Sequence, residues 1–273
     1  MKLRNWFYLL LACSVVSCAT MSAAQSGSEN SELNLGVRAF KQAKFEEAID
    51  HFQKAVMQEP ANVHAHLYLA TAYAQQYVPG ADTAENKQAG ERAIEQYRAV
   101  LQLAPPTSEA VNAVKGIAYL DMQMKKFDES KDNYRKAIEL EPDDPESHYS
   151  IGVIDWTETY QPRMEERAKL NLKPDASLPA KSHAVCEMAR AKNEDKIQEG
   201  IDNLIKAIQL RPDYDDAMAY LNLMYRERAD VQCYDPAARK ADLNAADGWV
   251  DKTMATKKAE AEKEQTLPSQ PQP

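Results

Sequence analysis

The sequence predicts an all-α solenoid of repeated helix pairs, and three observations carry that expectation. Four fifteen-residue stretches, beginning at residues 46, 91, 128 and 198, are versions of one pattern: EEAIDHFQKAVMQEP, ERAIEQYRAVLQLAP, DESKDNYRKAIELEP and QEGIDNLIKAIQLRP. Each places a small residue third (Ala48, Ala93, Ser130, Gly200), a ring or branched apolar residue seventh (Phe52, Tyr97, Tyr134, Leu204) and proline last (Pro60, Pro105, Pro142, Pro212). Upstream of three of the prolines stands another small residue (Gly36, Ala118, Gly152), preceded by a branched apolar one (Leu35, Ile117, Ile151). Self-similarity of this kind is the signature of stacked units, each burying its apolar face against the next.

Taken in order, each copy reads as a helix ending in a stop. In the first, apolar residues fall at 48, 49, 52, 55 and 56, the spacing of a helix with one buried stripe. The closing proline has no amide hydrogen and cannot continue the helix, so the chain turns there. A second type of helix, carrying Gly36, Ala118 or Gly152, precedes each copy, the small residue marking where its partner approaches closely. Asp144 before Pro145 is a start signal for one of these, an N-cap followed by proline in the first turn. A fifth, degraded unit is expected, with Asp215 to Arg228 and Asn244 to Lys258 as its helices.

The spacing between the small residues of a pair locates insertions. It is 12 in the first unit (36 to 48) and in the third (118 to 130), but 23 in the second (70 to 93), 48 in the fourth (152 to 200) and about 24 in the fifth (222 to 246). All three excesses fall between the helices of one unit, so they project from one edge, where they are expected to form a continuous ridge. The largest, 157–194, holds Pro162, Pro174 and Pro179 around a helical patch from Arg163 to Leu172, and Ser177-Leu178-Pro179 reads as the start of a long second helix. Insertions gathered on one edge often flank a binding face.

The pattern resembles the tetratricopeptide repeat. Leu35-Gly36, Phe45, Ala48, Phe52, Ala55 and Pro60 match its signature positions within residues 29 to 60, and the likeness extends over most of 29–253. The tryptophan common near the start of the family's first helix is missing, its place held by Glu32, His66, Val114, His148 or Met218. The resemblance implies a right-handed superhelical solenoid with helical insertions in the turns inside units. The units are 29–62, 63–107, 108–144, 145–214 and 215–259, within a solenoid of 32–259. It also implies a concave face lined by first helices, where a protein or peptide partner docks. By the family register the groove residues are Val37 and Phe40, Leu67 and Thr71, Lys115, Tyr119 and Met122, then Tyr149, Val153 and Trp156. Aromatics there would anchor a partner; the alternative is that Tyr149 and Trp156 pack beneath the large insertion. A clamp for a C-terminal carboxylate is not expected, since the corresponding positions are mostly apolar, Lys115 excepted.

The ends differ from the middle. Residues 1–24 carry Lys2 and Arg4, an apolar run from Trp6 to Val16, and then small residues, the three regions of a secretory signal peptide, too short to span a bilayer. Two cleavage patterns overlap. Val15-Val16-Ser17-Cys18 resembles a lipobox, which would make Cys18 the lipidated N-terminus, whereas Ser22-Ala23-Ala24 before Gln25 suits ordinary signal peptidase. Either expectation places the mature chain outside the cytoplasm, in the periplasm or envelope, as an outer-membrane lipoprotein in the first case. Residues 25–31 read as a flexible linker and 260–273, ending TLPSQPQP, as a disordered tail. Loss of the leader before Cys18 removes two positive charges and takes the formal charge from −9 to −11, a surface that repels phosphate backbones, so nucleic acid is not an expected partner.

Cys186 and Cys233 remain after the leader. They lie 26 residues before and 21 after Pro212, which puts them at the same end of two antiparallel helices and predicts a disulfide. A His183–Cys186 nucleophile and base is the enzymatic alternative, but no orienting third residue accompanies it. His64 and His66 lack the spacing of metal ligands, and no phosphate loop or nucleophile elbow occurs. No cofactor, metal or catalytic residue is therefore assigned. The expected function is a protein-interaction scaffold, an envelope assembly or secretion accessory. The alternative is a soluble periplasmic peptide- or glycan-binding module without an anchor; the oligomeric state is left open.

Overall fold

A computed structural model describes residues 31–173 and 176–266. The leader, Cys18, the linker up to residue 30 and the tail from 267 lie outside the described residues. Within them the chain is all-α. The helices are α1 (Glu32–Lys41), α2 (Phe45–Gln58), α3 (Val63–Gln76), α4 (Ala84–Gln102), α5 (Thr107–Gln123), α6 (Phe127–Leu140), α7 (Pro145–Lys169), α8 (Leu178–Lys181), α9 (His183–Leu210), α10 (Asp215–Asp230) and α11 (Pro236–Thr266). They pair as α1/α2, α3/α4, α5/α6, α7/α9 and α10/α11, each pair packing on the next through its second helix. The expected superhelical solenoid of antiparallel pairs is the observed architecture.

The repeated positions explain the pairing. Phe52 is fully buried, and a Cβ built on Gly36 would overlap its ring, so the first helix has to be bare where the second presents its seventh residue. Gly152 stands in the same relation to Leu204. Side-chain oxygens of Ser31, Asn62, Thr83 and Asp144 cap α1, α3, α4 and α7 by accepting from backbone N–H groups of their first turns. The short turns of the first and third units close through Ala43 (φ 57°) and Lys125 (φ 61°), left-handed positions just past a helix end. Three apolar clusters form the core. One runs from Ala39 through Phe52, Tyr73 and Tyr97 to Leu120, one joins Ala118, Tyr134, Ile151 and Ile154, and one joins Ile197, Leu204, Leu221 and Met224.

The insertions depart from expectation in detail. In place of a separate patch at Arg163 to Leu172, α7 runs unbroken through Pro162 to Lys169. A proline inside a helix removes one backbone hydrogen bond. The turn beyond it is held instead by ion pairs from Arg163 and Arg167 to Asp230, at 3.1 and 2.7 Å. Ser177 starts only the single turn α8, and the long helix begins at His183, because extended Ser182 (ψ 108°) breaks the run and caps the next one through Val185 N. The fifth unit takes up its extra residues by starting α11 at Pro236 rather than Asn244. At its other end α11 continues to Thr266, so residues 260–266 of the expected tail are helical, favoured by a run of Ala, Lys and Glu.

The ridge is continuous only across the fourth and fifth units, where Cys186 meets Cys233 and the His183 and Tyr234 rings stack at 4.9 Å. The 77–83 loop is separated from it by the third unit, which carries no insertion. Asn86 clasps that loop, exchanging hydrogen bonds with both backbone groups of Val78 and donating to the Ala81 carbonyl.

Candidate groove and its charged frame

The residues expected to line a groove lie on the first helices α1, α3, α5 and α7. Toward the N-terminus, Val37, Phe40, Leu67 and Tyr119, from three successive units, are half-buried and pack against one apolar cluster. Phe40 meets Phe45 edge-on at 5.4 Å. Thr71, also half-buried, donates its hydroxyl to the Leu67 carbonyl at 2.8 Å and lies 3.3 Å from the Tyr97 hydroxyl, which burial pushes up to about 12. Met122 packs beside Tyr134 and Ile154, carrying the surface to the fourth unit.

Lys115 is fully engaged. Its Nζ lies 2.9 Å from both Asp144 and Glu146. Burial works to lower its pKa, and the two carboxylates outweigh burial and leave it raised. Burial conversely acts to raise Asp144, and Lys115 together with hydrogen bonds from Ser147 and the Glu146 backbone more than reverses it, leaving it lowered. Arg211 reaches Glu146 at 3.4 Å and covers the Tyr214 ring at 4.4 Å. Lys115 and Arg211 are thus both paired with carboxylates of the chain itself.

Tyr149, Val153 and Trp156 come together with residues that the sequence analysis missed. Tyr149 is buried, its ring 4.9 Å from Tyr214 and 5.7 Å from Tyr220; half-buried Trp156 lies 5.3 Å from Tyr220 and 4.7 Å from Tyr160. Burial raises the Tyr149 and Tyr214 hydroxyls far above their ordinary value. The indole N–H of Trp156 and the Tyr214 hydroxyl have no hydrogen-bond partner among the described residues. Tyr160 follows Trp156 by one turn, so the continued stripe of α7 was the available signal for it, whereas Tyr220 comes from α10 and only the packing of α10 on α7 brings it in.

Two buried charge clusters frame this section. Lys131 on α6 binds Asp155 at 2.8 Å and lies 3.4 and 3.3 Å from Glu158 and Glu199, tying the third unit to both helices of the fourth. Burial pushes Asp155, which is fully enclosed, up to about 7 against the pull of Lys131. At the insertion, Arg163 lies 2.9 Å from Glu227, whose carboxyl burial raises to about 7 despite that arginine. Arg167 donates to Asp230 and to the carbonyls of Lys173 and Ala176.

Cys186 and Cys233 are buried beside this cluster at disulfide distance, Sγ to Sγ 2.07 Å and Cα to Cα 5.6 Å. The Cys186 sulfur is therefore no exposed nucleophile for His183. His51, His66 and His148 bond Glu32, Gln96 and Asn203, and His64 lies 3.4 Å from Glu109. Among the described residues no group of three or more His, Cys, Asp or Glu side chains is placed to hold a metal, and no helix is long and apolar enough to cross a membrane.

Comparison with known proteins agrees with this geometry. A tetratricopeptide repeat profile matches residues 33–108, and a second, described as a TPR repeat, matches 118–156. No curated protein matches. Among solved structures, a crystal structure of MamA protein is 15% identical with TM-score 0.55, covering 88% of this chain and 96% of that one. MamA 41-end from Desulfovibrio magneticus RS-1 is 16% identical with TM-score 0.54, covering 84% and 94%. YrrB, described as a TPR protein with an unusual peptide-binding site, is 13% identical with TM-score 0.50, covering 86% and 94%. At such identities the likeness is one of fold.

Proposed function

Since the chain belongs to the tetratricopeptide repeat family, we propose that it is an exported protein-interaction scaffold that holds a partner segment in its concave groove. The observation that supports this reading is a set of half-buried apolar residues on successive first helices, Val37, Phe40, Leu67 and Tyr119 over one apolar cluster, Met122 over a second, and Val153 and Trp156 over a third. Half-buried rings over a packed core give a partner large contact area at little entropic cost. The peptide-binding site named for YrrB is a precedent on the same fold. A disulfide between Cys186 and Cys233 suits a compartment where such bonds persist, and with the leader pattern supports export. A lipid on Cys18 would make the protein an envelope assembly or secretion accessory; cleavage before Gln25 would make it a soluble periplasmic peptide- or glycan-binding module.

The reading is tested by affinity capture from an envelope extract with the full chain and with a Met122→Ala, Trp156→Ala variant whose helicity and melting are unchanged. Loss of a saturable partner in the variant is expected; undiminished capture refutes the groove. The mass of the mature N-terminus separates the two modes of export.

A further inference from the structure

We infer that the junction between the third and fourth units is a pH-sensitive joint, pinned at one end by Lys115 and clasped at the other by Lys131, which closes in acid and loosens toward neutral pH.

The repeat itself marks the place. At the fourth position of the copied stretch three second helices carry buried isoleucine, Ile49, Ile94 and Ile201, whereas α6 carries Lys131. The apolar core divides at the same point. One cluster ends at Leu120 of α5 and another begins at Tyr149 of α7, with the small group of Ala118, Tyr134, Ile151 and Ile154 between them. Two ion clusters hold this junction, and their carboxylates Asp144 and Asp155 stand about 16 Å apart along α7. At the first, Lys115 binds Asp144 and Glu146; its pKa is raised and that of Asp144 lowered, so this end stays charged and joined across neutral pH.

The second end is built differently. There α6 supplies Lys131, α7 supplies Asp155 and Glu158, and α9 supplies Glu199; Arg135 of α6 also pairs with Glu199, and Lys196 of α9 with Glu158. From α10, Met224 reaches Gly200 of α9 beside Asp155. Asp155 is fully enclosed, with Oδ1 on Lys131 at 2.8 Å and Oδ2 without a hydrogen-bond partner among the described residues. An enclosed carboxylate with one bare oxygen is costly when charged and far less so when protonated. Burial accordingly lifts Asp155 to about 7 against the pull of Lys131, and Glu199 and Glu158 add to the rise.

Loosening the clasp hydrates Asp155 and returns it toward 3.8. Closure is therefore favoured in full below the hydrated value, weakens by up to about tenfold per pH unit above it, and levels off near 7, where the carboxyl is charged in both states. Tyr119 and Met122 precede the joint and Val153 and Trp156 follow it, so its loosening alters the spacing between these apolar residues of successive first helices.

The test uses the full chain with a Ser150→Cys probe. Ser150 is buried between α7 and α6, where it hydrogen-bonds with the Tyr134 hydroxyl, and cysteine is close to it in size. Should that change lower helicity, Ile154→Cys, fully buried in the bridging cluster, takes its place. The rate at which dithiodipyridine labels the new thiol, less that of the chain without the probe, is divided by the rate in the same probe carrying Asp155→Asn, which cancels the thiol's own pH dependence. The ratio is expected to rise by up to about tenfold per pH unit from about pH 5 to about pH 7 and then to level. Glu158→Gln removes a carboxylate that raises Asp155 and should bring the levelling to lower pH, whereas Glu227→Gln should change nothing. A Ser130→Cys probe, buried against α5 within the third unit, should show no slope. A flat ratio, a slope that follows Glu227, or an equal slope at Ser130, which means global unfolding, overturns the inference. Labelling involves no partner, so failure of the joint leaves the groove reading standing, and failure of that reading leaves the joint.

Discussion

Replacing Glu227 by Gln tests whether burial or ion pairing governs the charged seat of the insertion. Glu227 is 1% exposed, its Oε2 meets Arg163 at 2.9 Å, and its Oε1 has no hydrogen-bond partner among the described residues. Burial lifts the folded carboxyl from 4.5 to about 7; Arg163 and Arg167 oppose the rise and Asp230 adds to it. A carboxyl whose pKa rises on folding contributes stability that is complete below the unfolded value and lost as pH climbs through the folded one. At about 1.36 kcal/mol per unit, the native state forfeits about 3 kcal/mol from this group between pH 5 and pH 8. Glutamine copies the protonated acid in shape and does not titrate. Urea unfolding should therefore find Glu227→Gln nearly neutral at pH 5 and more stable than the parent by about 3 kcal/mol at pH 8. A variant that is less stable at pH 8 than at pH 5, relative to the parent, would show that the arginines hold Glu227 as an ordinary ion pair and would refute the reasoning.

Two further outcomes are expected. Cys186→Ser with Cys233→Ser, or reduction, removes a link spanning 47 residues, for which chain entropy gives about 4 kcal/mol; chemical denaturation with and without a dithiol reductant measures it, and no change means that the thiols are not joined. Ala43→Gly and Lys125→Gly relieve left-handed backbone at φ 57° and 61° and should each stabilise by about 1 kcal/mol, visible as a rise in Tm; a fall means that the freedom glycine adds to the unfolded chain outweighs relieved strain.

The regular units were legible in the sequence because their determinants are local: a small residue, a ring seven places into the copy, and a proline recur at fixed intervals, and Gly36 against Phe52 follows directly from them. The insertions were legible in place and length but not in form. Pro162 reads as a stop, yet α7 passes through it because its next turns are tied to Glu227 and Asp230, more than sixty residues away in sequence. Pairings of that range leave no periodic trace. The groove was half legible for the same reason. Tyr149 and Trp156 follow from helix register, whereas Tyr220 joins them only through the stacking of α10 on α7, and the neutralisation of Lys115 depends on Glu146 in the following unit.

The link between Cys186 and Cys233 bears on how this chain can change in length. A solenoid held by contacts between neighbours tolerates the gain or loss of whole units, since each new interface repeats an old one. Between α2 and α3 the packing is of that kind, with two side-chain hydrogen bonds, Gln53 to the Tyr73 hydroxyl and Gln76 to Glu46. The fourth and fifth units are joined instead by two sulfurs, two arginines and their carboxylates drawn from unlike positions, and no inserted repeat could reproduce them. A unit gained or lost between the first two would meet a repeated interface, whereas one placed between the fourth and fifth would part these pairs.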